Sequence, residues 1–136
     1  MSPSKDKVYR RFSASLRIFG ESLDFEGISA QLGLTPTHSH RRGDRRAATS
    51  PPFELDGWVF EVPVARERRL EEHLVELWRL LRPHVAYLKI LKRTCAVDIF
   101  CGYRSNSDTA GFSVAPSALT IFTELDIPFG LSVIIV

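Results

Sequence analysis

Residues 12–18 read Phe-Ser-Ala-Ser-Leu-Arg-Ile, and the order of these seven side chains decides the fold class. Phe12, Ala14, Leu16 and Ile18 fall on one side. Arg11, Ser13, Ser15 and Arg17 fall on the other. Successive side chains of a strand point to opposite faces, so strict alternation predicts a β-strand with one face in a core and one left open. Gly20 breaks the pattern. Asp24 then suits the N-cap of a short helix carrying Phe25, Ile28 and Leu32, stopped by Gly33, with Pro36 preventing its resumption.

Further along, Trp58, Phe60, Val62 and Val64 alternate with Val59, Glu61 and Pro63, which predicts a second strand with Pro63 at its end or on an edge. Residues 67–81 predict a helix whose stripe is Leu70, Leu74, Leu77, Trp78 and Leu81, ended by Pro83. Val85–Leu91 reads as an extended connection or short strand. Thr94–Tyr103 alternates again, with Cys95, Val97, Ile99 and Cys101 inward, and Gly102–Gly111 has the composition of a loop. Pro116 suits the first residue of a helix carrying Leu119, Phe122 and Leu125. Phe129–Val136 is β-branched enough for a closing strand.

In order, this is strand, helix, strand, long helix, strand, helix, strand. The expected fold is α+β: two βαβ-like halves joined by a long helix, with a mostly antiparallel sheet of four or five strands and helices packed on one face. Residues 1–8 read as a flexible tail and residues 9–136 as one domain. The 136-residue length fits one core, and 44% apolar with 25% charged residues excludes wholesale disorder. No apolar run reaches the roughly 20 residues of a membrane span. Cys95 and Cys101 would lie about 20 Å apart on one strand, too far to form a disulfide. They read as buried apolar residues in a cytoplasmic protein.

Leu16-Arg17-Ile18, Ile28, Leu32-Gly33-Leu34, Pro36, Gly43-Asp44 and Trp58, with the leucine-rich helix and the helix over 119–127, together resemble a bacterial family known as domain of unknown function 4279. The resemblance runs from about Phe12 onward. It implies a small α+β domain and brings no activity with it.

Function has two candidate locations. Residues 34–58 lack both helical and strand periodicity and concentrate His38, His40, Arg41, Arg42, Asp44, Arg45 and Arg46 around Gly43. Guanidinium forks match phosphate and carboxylate, and glycine lets an anion approach the backbone, so these residues are the anion- or partner-binding candidates. The bland alternative is a solvated loop in which Asp44 pairs with an arginine. The second location is the open sheet face, where Phe19, Val59, Phe100, Ile134 and Val136 are apolar. A partner, a dimer mate or a fifth element is expected to cover part of it; the bland alternative is that Val85–Leu91 or the long loop folds over it.

No catalytic residue is nominated: Gly-x-Ser-x-Gly, the P-loop and His-Glu-x-x-His are all absent from the sequence. Glu61 and Asp98 are the one conceivable carboxylate pair, more simply solvated or paired with Arg17. His38 and His40 lack a third metal ligand, and all four histidines read as surface residues. No cofactor is expected. The expectation is a non-catalytic module for a protein partner or homodimer mate, or for an anionic ligand. Nucleic-acid binding ranks below it: Glu61 and Asp98 would repel phosphate from the sheet face, which leaves the arginine loop as its only electrostatic support. An unrecognised enzyme comes last.

Overall fold

The computed structural model describes residues 7–109 and 111–136. The expected tail over residues 1–8 lies mostly outside the described residues. Among the described residues, five strands and four α-helices follow in the order β1 (Arg10–Gly20), α1 (Phe25–Leu32), β2 (His38–His40), β3 (Asp56–Glu61), α2 (Leu70–Leu81), α3 (Val85–Leu91), β4 (Ala96–Ser105), α4 (Thr120–Leu125) and β5 (Leu131–Ile135). The sheet order is β2-β3-β1-β4-β5. Among the described strands only the β4–β5 pair is parallel. The fold is α+β with a mostly antiparallel sheet, as the alternation in β1 predicts.

β1 is central because it is long and has partners on both sides. Its inward residues Ala14, Leu16 and Ile18 are fully buried, and they share one core with Trp58, Leu70, Leu74, Leu77 and Ile121. Burying such side chains stabilises by about 1.5–3 kcal/mol each, which fixes which face of each strand turns inward. Trp58 also donates its indole N–H to Ser29 Oγ at 3.1 Å, tying α1 to β3.

Helices α1 and α4 end alike. Gly33 follows α1 with φ 66°, and Asp126 follows α4 with φ 54°; both are left-handed caps leading into an aliphatic residue. Lys92 reinforces the second cap by donating to the carbonyls of Leu125 and Asp126, where a helix C-terminus favours a cation. The two halves nevertheless differ. β1–α1–β3 returns antiparallel beside its own first strand, whereas β4–α4–β5 returns parallel.

Several expectations are corrected. The stretch without periodicity contains β2, three residues held at the sheet edge by β3 rather than by their own pattern. β3 stops at Glu61, although Val62 still donates its N–H to the Ala14 carbonyl. α2 begins at Leu70, where the Glu72 carboxylate accepts the backbone N–H of Arg69 and ties down the first turn. Val85–Leu91 is helical. Pro83 lies in the opening of a 3-10 turn over Arg82–His84, where its missing N–H costs nothing, so the chain turns and helix resumes. Gly102–Ser105 belongs to β4, because β1 and β5 flank it on both sides. Pro116 opens a 3-10 turn, and α4 begins at Thr120.

Candidate functional site

The open face of the sheet is a series of cross-strand rows set by register. Arg17 lies between Val59 and Asp98, Ser15 between Glu61 and Phe100, and Phe19 between Gly57 and Ala96. β2 adds His38 beside Val59 and His40 beside Gly57. One row thus reads His38, Val59, Arg17, Asp98 across four strands.

Residues 41–55 leave the sheet edge and fold back beside this face. Asp44 accepts the N–H of Arg41 at its carboxylate, Gly43 takes φ 94°, and Gly43 and Phe53 bond Phe53 and Asp44 across the excursion. Arg45 bridges to Pro52 and donates to the Ser50 carbonyl. Phe53 then stacks on His40, with ring centroids 3.6 Å apart at 14°. The His40 ring lies where a side chain on residue 57 would be, so Gly57 is what allows the loop to dock.

The result is a cleft of about 1140 Å³. Its floor is Ser15, Arg17, Phe19, Val59 and Phe100, and its wall is His40, Phe53 and Leu55 with Arg45 and Arg46 above. Arg17 and Asp98 form a two-pronged pair at 2.8 Å for each bond. The hydrogen bonds that Arg17 donates to Asp98 raise its pKa above the ordinary value. The same guanidinium covers the rings of Phe19 and Phe100 at 5.3 and 4.6 Å. Held by the carboxylate and by two rings, Arg17 is a rigid flat part of the floor.

The structure divides the sequence candidates. Phe19, Val59 and Phe100 do share the cleft, but Val59 is only 7% exposed, so the face is less openly apolar than the alternation suggests. The long loop covers part of it. Ile134 lies elsewhere, beside Arg104 on β5, and it stays 48% exposed. His38, His40, Asp44, Arg45 and Arg46 line the cleft.

Arg41 does not join them. Its Nη1 donates to the Leu23 carbonyl and to Asp56, and its guanidinium lies 3.8 Å from the centre of the Phe25 ring. Arg42 contributes its backbone N–H to Asp56. Asp44 caps its own turn and forms no ion pair among the described residues. The expected Asp44–arginine pair is therefore replaced by a backbone contact, which a three-residue spacing makes easy.

Asp56, missed at the sequence level, anchors the whole excursion. The residue is 4% exposed, and its carboxylate accepts from Leu23 N, Arg42 N and Arg41 Nη1. The two backbone N–H donors, then Arg41, hold its pKa down at about 2. No periodicity marks it. The one clue is a lone acidic residue beside Gly57 at the start of an otherwise buried strand.

His73 is also corrected. It is 1% exposed rather than on the surface. It stands three residues after Leu70 and four before Leu77, inside the apolar arc of α2, and that spacing was readable. Burial lowers its pKa. Glu61 pairs with Arg66 rather than with Asp98, so the two carboxylates do not form an acid–base pair. Cys101 is buried, and its pKa is pushed up to about 12, which keeps it a thiol; Cys95 is partly exposed rather than buried. Among the described residues no group of three or more His, Cys, Asp or Glu could hold a metal, and no helix is long and apolar enough to cross a membrane.

No curated protein and no solved structure matches the chain. A family profile does: that of "Domain of unknown function (DUF4279)" matches residues 9–135, almost the whole chain. By that match, and by the α+β architecture just described, the chain belongs to this domain family of unknown function.

Proposed function

We propose that the chain is a non-catalytic binding module, and that its partner is a protein segment carrying acidic side chains that lies in the cleft between the sheet face and the 41–55 loop. The observation that carries this reading is the docked loop: His40 stacked on Phe53 over Gly57 holds a wall in place above an aromatic floor. Small-molecule sites run to about 300–1,000 Å³ and enclose their ligand. A larger trough, open along one side, suits a length of chain. Arg45 and Arg46 on the rim supply guanidinium donors for carboxylates, and Phe19 and Phe100 supply apolar area. The two free cysteines agree with work in a reducing compartment, the cytoplasm.

Selection from a random displayed-peptide library tests the reading. Enriched peptides should combine acidic with apolar residues and should lose binding at least tenfold to Phe100→Glu and to the Arg45→Ala/Arg46→Ala double variant. A selection yielding only peptides indifferent to both variants would overturn it.

Nucleic-acid binding through the same loop is less well supported, because Arg41 is engaged with Asp56 and Leu23 while Asp44 and Glu54 line the cleft beside Arg45 and Arg46. Self-association has its own observation: edge strand β5 leaves Val133, Ile134 and Ile135 about half exposed. Sedimentation of the wild type and of Ile134→Lys checks it. A dimer that dissociates on substitution is expected, and a monomer at all concentrations would exclude it.

A further inference from the structure

The open face has a second end, away from the loop. There Arg11 of β1 is the direct cross-strand partner of Arg104 of β4, and both side chains are exposed on the same face. Directly opposed side chains on neighbouring strands have Cβ atoms about 4.5–5.5 Å apart, and like charges there repel. The usual relief is a carboxylate from a third strand. None is supplied: beyond Arg104, β5 places Ile134, and among the described residues neither arginine forms an ion pair. The carboxylates of this face, Glu61 and Asp98, are already held by Arg66 and Arg17.

The pair is also supported from below. The Arg11 guanidinium lies 4.8 Å from the centre of the Tyr9 ring. Tyr9 is fixed through its backbone, its N–H donating to Asn106 and its carbonyl accepting from Ser105. The next row of the sheet is Ser13, Gly102 and Ser132, with no bulky side chain. A methyl group on residue 102 would come within 2.7 Å of Ser13 Oγ. Two arginines at directly opposed positions therefore stand at the head of a row of small residues, Ser13, Gly102 and Ser132.

We propose that Arg11 and Arg104 form an anion clamp for a phosphoryl group. Two planar forks carried at directly opposed positions offer more N–H donors than the two oxygens of a carboxylate can accept in good geometry. A tetrahedral phosphoryl group presents three or four oxygens and can accept a pair of bonds from each fork. Its charge also offsets the repulsion between the two opposed arginines. Ser13 and Ser132 stand one row away, placed for hydroxyl contacts to whatever the phosphoryl group is attached to. This site does not depend on what occupies the cleft beside Phe53.

Titration of the full chain at constant ionic strength tests the clamp, with inorganic phosphate in one arm, phosphoserine in a second and chloride in a third, read by NMR of the arginine side-chain N–H groups and the backbone amides. Saturable shifts are expected at Arg11, Arg104, Ser13 and Gly102 with the phosphoryl compounds only, the tighter of the two showing whether the site takes a free or an esterified group. Arg11→Gln and Arg104→Gln should each weaken binding at least tenfold. Arg79→Gln, which removes an equal charge from the exposed side of α2, should leave it unchanged. Shifts equal to those in chloride, or weakened as much by Arg79→Gln as by the clamp variants, would overturn the proposal.

Discussion

Arg41 and Asp56, fifteen positions apart, meet at 2.8 Å and lock the most arginine-rich stretch of the chain to the start of a core strand. The contact separates arginines that look equivalent in sequence. One is a structural fastener, and Arg45 and Arg46 are left facing the cleft.

Arg41→Ala should therefore cost about 1–2 kcal/mol, the usual worth of a hydrogen bond to a charged group, discounted here because the side chain is half exposed. Arg46→Ala should change stability by no more than about 0.5 kcal/mol, as expected for a surface position without a fixed partner. Urea denaturation of the two variants side by side checks this. Equal effects would contradict the assignment.

Asp56 gives the loop an acid limit. Its folded pKa of about 2 lies below the ordinary 3.8, so the unfolded chain binds the proton more tightly. The stabilisation is complete above about pH 4 and is lost as pH falls towards 2. Asp56→Asn should lower the urea midpoint at pH 7, and the gap to wild type should narrow between pH 4 and pH 2. A gap that stays constant over that window would refute the ionised carboxylate as its source.

His73 acts in a milder range. Burial lowers its folded pKa below 6.5, so an unfolded chain gains a proton that the folded one resists. Stability should be full above about pH 6.5 and fall on acidification below it. His73→Leu should remove that slope between pH 7.5 and 5.5, whatever its effect on stability at pH 7.5. Urea midpoints at the two pH values measure it.

Tyr103 carries a buried hydroxyl with no partner among the described residues, while its ring stacks on Phe12 at 5.0 Å. Tyr103→Phe keeps the stack and removes the unsatisfied group. It should raise stability by about 1 kcal/mol, seen as a higher thermal midpoint. A loss of stability would point to a bound water at that hydroxyl.

Some of this was legible in the chain itself. The alternation from Phe12 to Ile18, the leucine stripe from Leu70 to Leu81, and the Asp24 and Gly33 caps are local, because each depends on side chains within a few residues of one another. Phe19, Val59 and Phe100 were also assigned to one face correctly, since strand periodicity fixes sidedness. His73 was legible too, standing in the apolar spacing of α2, though a polar residue type obscures such a position.

The tertiary structure decided the rest. β2 exists because β3 lies beside it, and α3 because Pro83 meets a turn where its ring fits. Register alone sets Arg11 against Arg104 and sends Arg41 to Asp56. An exposed arginine has no preferred partner within its own segment; its partner is whichever acceptor the packed core brings within about 3 Å. The sequence by itself determined that Ala14, Leu16 and Ile18 of β1 and the leucines of α2 would be buried. The long-range packing of those faces determined which charges are satisfied and which remain available.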